Sequence, residues 1–322
     1  MITPNSRLTV MLGLIGWVAA AAGAELYARK MAIVRTPEGP ATVFRDSVTI
    51  SDGSTRLTSH SCRMDRARGI AVMNDSVHIE SPDARVWADS AVYHLNEKRA
   101  ELFGRVKVLQ DSLAISAPRL VYATQDRQVR AEQGVVLENL DRSWRLTGQR
   151  GSYPLDSGVG VVDSLPVLTQ MRAEAGTKES VRVTSRRMLW FERGSRAEAH
   201  GAIQVSSGAS KLCCDTAVFF AAADSGVAWG GKPLVRDSAG EVSGDTMIFL
   251  VRNGALDRVA VRRHAHGQYQ TSSREKVIVQ GEVIQLWLTQ GDIDRIEVAH
   301  LTLGQLVRNQ SQAAAGSTSQ AK

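Results

Sequence analysis

Residues Trp87 to Val136 read WADSAVYHLNEKRAELFGRVKVLQDSLAISAPRLVYATQDRQVRAEQGVV. Short runs of Val, Ile, Leu and Ala alternate with polar turn clusters, and within the runs the apolar residues fall at every second position. In Gly104-Arg-Val-Lys-Val108 the apolar pair is Val106 and Val108, separated by charged residues. Period two with one apolar side marks an antiparallel strand that buries one face and wets the other. The pattern recurs at Val77 and Ile79 in Asp75–Glu80 and at Ile203 and Val205 in Gly201–Val205. No stretch after residue 40 sustains a 3.6 period, so the expected fold class is all-β.

The strands follow a longer rhythm. Val77, Val106, Val136, Ile203 and Val235 stand 29, 30, 67 and 32 residues apart. Aromatics at Tyr93, Tyr122, Tyr153, Trp190, Phe220, Phe249 and Trp287 are spaced by 29, 31, 37, 30, 29 and 38. Such periods also occur in helical arrays of the ankyrin type, but the amphipathic helices those require are absent. Stacked hairpins remain: two facing sheets of about eight strands each, roughly 40 Å long at about 4.8 Å per strand. If the repeats do not close on themselves, the end strands are free edges, which invite a partner.

These units resemble the OstA-like (organic solvent tolerance) family, the periplasmic bridge proteins of lipopolysaccharide transport. The likeness rests on a small residue, an apolar and an aromatic residue, a polar turn and then Gly-x-Val. Ala91-Val-Tyr93 leads to Gly104-Arg-Val106, Ala117-Pro-Arg-Leu-Val-Tyr122 to Gly134-Val-Val136, and Ala217-Val-Phe-Phe220 to Gly230-Gly-Lys-Pro233. Gly244–Phe249 with Asn253–Val259, and Gly281–Trp287 with Gly291–Ile296, repeat it later, so the likeness runs from about residue 43 to 303. The resemblance implies an open β-jellyroll of two twisted antiparallel sheets whose apolar interior holds lipopolysaccharide, or a related lipid, by its acyl chains. It also implies head-to-tail docking with other jellyroll transport proteins through sheet edges. The inward positions Val77, Ile79, Val106, Val108, Ile115, Val136, Ile203, Val205 and Phe249 become lipid-groove candidates. Trp144 and Trp190, large and only partly buryable, are candidates for the groove mouth. The alternative is a structural or carbohydrate-binding β-repeat protein of the cell surface, which would carry its aromatics on an outer face.

The expected organisation is an export or anchor segment over 1–24, a linker over 25–40, a first jellyroll half over 41–170, a second half or lobe over 171–305, and a disordered tail over 306–322. The repeats form either one extended sandwich or two lobes meeting near Leu165 to Ser180, and without room for a barrel after the polar tail the chain reads as a stand-alone module. Leu8 to Ala24 carries no charge and follows Arg7. At 1.5 Å per residue it makes a helix of roughly 25 Å, short of a roughly 30 Å hydrocarbon core, and Ala22-Gly23-Ala24 is an A-x-A cleavage pattern. Either a cleaved signal peptide or an inner-membrane tether fits, and both place the protein in the periplasm of a Gram-negative-type envelope. Outside the cytoplasm, the excess of 39 Lys and Arg over 33 Asp and Glu loses its nucleic-acid reading, and the basic residues are expected to gather near the trough or its entrance, where lipid phosphates would meet them at the rim.

The odd set Cys62, Cys213 and Cys214 gives no disulfide framework and reads as small buried side chains. His264 and His266 lack a third metal ligand at recognisable spacing, and Asp292 and Asp294 lack a calcium-loop spacing, so no metal or other cofactor is expected. No nucleophile elbow, P-loop or Rossmann glycine run is present. The chain has no residues on which to rest an enzymatic role.

Overall fold

The computed structural model describes residues 25–307 apart from short stretches, the longest of them 172–179. All its regular elements are strands, and they pair antiparallel throughout. The fold is therefore all-β. The expected helix of residues 1–24 lies outside the described residues, among which no helix is long and apolar enough to cross a membrane. The chain divides into two compact units between Gly201 and Ala202.

The first unit opens with β1 (Glu25–Tyr27) and β2 (Lys30–Thr36), followed by six long strands: β3 (Gly39–Asp52), β4 (Thr55–Asp65), β5 (Ile70–Glu80), β6 (Arg85–His94), β7 (Arg99–Gln110) and β8 (Leu113–Ala123). The pairing slips in mid-strand, between Arg45 and Val48, Thr58 and Ser61, Asn74 and Val77, Trp87 and Ser90, and Phe103 and Val106. A bulge bends its strand, so the two halves of each long strand run in two sheets. After β8 the sheets use separate short strands. These are β9 (Gln128–Glu132), β10 (Val135–Asn139), β11 (Trp144–Gly148), β12 (Arg150–Pro154), β13 (Val159–Asp163), β14 (Val167–Met171), β15 (Ser180–Thr184), β16 (Arg187–Phe191) and the start of β17 (Arg196–Ser207). The first sheet continues from residues 119–123 of β8 through β9, β12, β13, β16 and β17. The second continues from 113–116 through β10, β11, β14 and β15. Core residues from both, including Val48, Leu57, Val77 and Ile79 of the second sheet with Cys62, Met73, Leu102 and Tyr122 of the first, form one buried cluster.

The second unit comprises the end of β17, β18 (Ser210–Phe220), β19 (Ser225–Trp229), β20 (Leu234–Arg236), β21 (Gly240–Ser243), β22 (Thr246–Arg252), β23 (Ala255–Gln270), β24 (Lys276–Thr289) and β25 (Asp292–Val307). The plan repeats: β18 gives one half to β19 and the other to β20, the two paths rejoin on β23 through β22 and β21, and long bulged strands close the unit.

The corners explain the thirty-residue rhythm. Left-handed residues occur at Asp46–Ser47, Asp75–Ser76, Gly104, Gln133–Gly134, Ser164–Leu165, Gly201–Ala202, Gly230–Lys232 and Arg263–His264, at intervals of 29 to 37 residues. The chain turns from one sheet to the other there, and the next inward residue is buried: Val48, Val77, Val106, Val135, Ile203 and Ala265. Gly104 is confined sterically as well. With φ of +90°, a Cβ at this position would lie 2.2 Å from Asp89 Oδ2. The Asp89 carboxylate accepts the Arg105 backbone N–H at 3.1 Å and its guanidinium at 2.9 Å, and those bonds hold its carboxyl below the usual range.

Two boundary expectations change, and the alternative left open near 170 narrows. Residues 25–40 contain β1 and β2, which hydrogen-bond to β3, instead of a free linker. Backbone pairing forms this edge without burial: Met31 and Ile33 stay exposed, so no alternation marked it. The turn-rich insert near 170 is not a lobe boundary, because β14 and β15 pair across it from Val167–Thr184 to Met171–Ser180. Leu306 and Val307 belong to β25, while 308–322 lie outside the described residues.

Candidate functional site

Between the two sheets of the first unit, where the long bent strands give way to short ones, lies an apolar cavity of about 250 Å³. The second sheet contributes Val108 (β7), Leu113 and Ile115 (β8), Val135 and Leu137 (β10) and Leu146 (β11) to its wall. The first contributes Leu120 (β8), Val129 and Ala131 (β9), Tyr153 (β12), Val162 (β13), and Met188 and Trp190 (β16). N-terminal to it the space between the sheets is filled by the packed core. Among the described residues the wall contains no charged side chain; its polar members are Gln110, Ser112, Ser152 and Tyr153. The positive charge expected near the trough or its entrance is thus not on the described wall itself.

The periodic aromatics of the first unit form a row on the inner face of the first sheet. Strand register sets Tyr93 between Ala71 and Ala100, and Tyr122 between Ala100 and Val129. Tyr153 follows beside Val129, and Trp190 sits between Gly160 and Ala197. Large rings recur every second strand, about 9.6 Å apart, with a small or branched residue between. At the cavity the spacer is Gly160: Tyr153 and Trp190 stack over it with centroids 5.7 Å apart, and a Cβ there would lie 2.7 Å from Trp190 Cε3. The Trp190 ring therefore lies down on the strand. In the second unit Phe219 and Phe249 stack at 6.4 Å across Gly226, the residue paired with both.

Three of the groove candidates, Val108, Ile115 and Trp190, line the cavity. Val77, Ile79 and Val106 are fully packed in the core beside it. Trp144 is half-buried on the face of Leu146 without lining the cavity. Ile203 (buried), Val205 and Phe249 (both half-buried) belong to the second unit. Val136 faces away. At this corner the left-handed residues are Gln133–Gly134 and the inward residue follows the glycine directly, whereas Arg105 stands between Gly104 and Val106, so Val135 and Leu137 take the inward phase. Of the adjacent pair on β18, Phe220 is exposed and Phe219 stacks on Phe249. Trp287 is on the outer side, its neighbour Leu286 being buried, and the guanidiniums of Arg258 and Arg295 lie 5.3 and 4.8 Å from its ring. Leu120, Val129, Leu137, Leu146, Gly160 and Met188 were not singled out from sequence; counting by twos from the left-handed residues is the signal that finds Val135 and Leu137.

Polar chemistry lies elsewhere. Glu101, on the outer face of the first sheet, is buried under His94, Arg99 and Arg119, with contacts of 3.2, 3.1 and 2.7 Å. Burial pushes its carboxyl up, but the hydrogen bond from Arg119 and the surrounding positive charge outweigh that and hold it below the usual range. Cys62 and Cys214 are free and buried, their thiols pushed up by burial to about 11 and about 12, and Cys213 is free and exposed. His264 Nδ1 sits 2.8 Å from Asp245 Oδ2 as a corner contact. Among the described residues no group of three potential ligands forms a metal site.

Two bent antiparallel sheets sharing an apolar interior define an open β-jellyroll. Residues 59–161, which contain most of the cavity wall, match the family described as OstA-like protein. Among solved structures, the chain is similar to LptH of Pseudomonas aeruginosa, titled the LptA homologous periplasmic component of the conserved lipopolysaccharide transport device. The likeness is 22% identity over 34% of this chain and 81% of LptH, with a TM-score of 0.29. No curated protein matches the chain.

Proposed function

We propose that this protein binds lipopolysaccharide, or a related lipid, by its acyl chains in the cavity between the sheets and passes it across the periplasm toward the outer membrane. The observation that carries this reading is a continuous, uncharged apolar space within and beside the OstA-like segment. Each methylene moved there from water contributes about 0.8 kcal/mol, so ten contribute roughly 8 kcal/mol before the cost of association is subtracted. Binding on that scale needs no polar contact, which suits a wall without charge. The aromatics of the OstA-like segment at Tyr93, Tyr122 and Tyr153 lie in the inner row, where they support a lipid interior over an outer carbohydrate-binding face.

Handover is by edge docking in this reading. β2 leaves Met31 and Ile33 exposed, and β25 leaves Leu301, Leu306 and Val307 exposed; apolar edge strands are templates for pairing with another jellyroll. The apolar segment Leu8 to Ala24 directs the chain to the periplasm, and if uncleaved it tethers it to the inner membrane. No catalytic role is assigned. Depletion from cells that depend on the protein tests the reading. Surface lipopolysaccharide should fall while its precursor accumulates at the inner membrane, and unchanged surface lipopolysaccharide would refute it.

A further inference from the structure

We infer that the cavity takes a single saturated acyl chain of about 12 to 15 carbons, and that Trp190, laid flat by Gly160, sets where that chain ends. The inference rests on the proposed lipid-binding reading and sharpens it from a groove for many chains to a site for one.

The dimensions carry the argument. The wall on the first sheet crosses five neighbouring strands, β8, β9, β12, β13 and β16, and four spacings of about 4.8 Å give a length near 19 Å. About 250 Å³ is open to the centre of a water molecule, roughly 13 Å² of cross-section along that length, and adding a water radius of about 1.4 Å gives a channel about 7 Å wide. Carbon chains in contact lie about 4 Å apart, so one chain fits that width and two side by side, about 8 Å, do not. An extended chain with C–C bonds near 1.5 Å at tetrahedral angles advances about 1.25 Å per carbon, which matches 19 Å to about 15 carbons.

Both ends are defined by named residues. Toward β7 the space closes on the packed core at Leu102 and Val106. Toward β16 it is bounded by the stacked rings of Tyr153 and Trp190. Trp190 occupies its position because Gly160 has no Cβ; any larger residue there meets the ring at 2.7 Å and must turn it up into the cavity. Gly160 has no left-handed backbone, so a side chain is excluded by space and not by conformation. The glycine therefore acts as a specificity-determining position for chain length.

The test is native mass spectrometry of the full chain with dodecanoate and hexadecanoate as probes, with circular dichroism on each variant. Wild type should bind one dodecanoate at saturation. Gly160→Val, which raises the ring, and Leu146→Trp, which fills the cavity from the opposite sheet, should each weaken it at least tenfold. Trp190→Ala should keep dodecanoate and bind hexadecanoate at least tenfold more tightly than wild type. Two or more dodecanoates per chain, undiminished binding in both filled variants, or no gain in Trp190→Ala would overturn the inference. If Gly160→Val fails to fold, Leu146→Trp decides that arm. The two readings fail separately. One dodecanoate with no lipopolysaccharide captured in cells would remove the transport reading and leave the site. Capture that is undiminished in a folded Gly160→Val or Leu146→Trp protein would remove the one-chain site and leave transport.

Discussion

The corner glycine Gly104 offers a quantitative test of how the two sheets are joined. Replacing it with Ala places a methyl at φ of +90°, 2.2 Å from Asp89 Oδ2 and 2.7 Å from Asp89 Cβ. The left-handed backbone costs an L-residue roughly 1–2 kcal/mol, and the loss of glycine freedom in the unfolded chain returns about 0.4–1 kcal/mol. Forcing an extra methyl into a filled position adds roughly 1–3 kcal/mol, for a net destabilisation of about 2–4 kcal/mol. Gly134 is the internal control: its φ is +109°, but nothing lies within 4 Å of an added Cβ, so Gly134→Ala should carry the backbone cost alone, about 1 kcal/mol. Urea denaturation of the two variants measures the difference, and thermal melts should separate by roughly 2–4 °C per kcal/mol for a unit of this size. A double-mutant cycle with Asp89→Gly, which removes the clashing atoms, should recover most of the excess. Equal costs at the two glycines, or no coupling between positions 89 and 104, would refute the corner as described.

Three further outcomes follow from the packing and the charges. Arg119→Ala should destabilise by about 1–3 kcal/mol at neutral pH by leaving Glu101 short of its strongest partner. Because the Glu101 carboxyl is held low in the folded state, its contribution is present above the unfolded carboxylate range and is lost as pH falls through the folded value. The gap between wild type and variant in denaturant titrations should therefore shrink in acid, and a constant gap would point to packing alone. Leu102→Ala, in the filled part of the interior, should cost about 2–5 kcal/mol, whereas Val136→Ala on the outer face should cost under about 1 kcal/mol. Iodoacetamide at pH 8 should label the native chain once, at Cys213, since Cys62 and Cys214 are buried and their thiols raised to about 11 and about 12. Peptide mapping after labelling in denaturant should show all three, and fast native labelling of Cys62 would mean that the first core opens readily.

Period two at Val77–Ile79 and Val106–Val108 was enough to read the strands, and the thirty-residue spacing was enough to read the circuit between two sheets. What carried that spacing was legible only in part. The rhythm belongs to the left-handed corners, and where the corner slides by one residue against its glycine, as at Gln133–Gly134, every side chain after it changes face. Val136 was read in the wrong phase for this reason, and Val135 and Leu137 hold the inward positions. The strands of residues 25–36 carried no signal because edge pairing stabilises them without alternate burial. The cavity was not legible at all. Val77, Val106 and Val108 have the same local pattern and all belong to the buried core, yet only Val108 also lines the cavity. The distinction depends on which residues of the facing sheet reach them and on a glycine, Gly160, that belongs to none of the repeat motifs although it pairs with Trp190.

The central claim is that lipid travels between the sheets, and one pair of adjacent residues tests it most directly. Leu137 lines the cavity and Val136, next to it on β10, faces the opposite way. A photo-crosslinking amino acid placed at each position in growing cells samples the inside and the outside of one strand at one depth. Capture of lipopolysaccharide from position 137, with little from position 136, is the predicted result; capture from 136 and not from 137 would contradict the account.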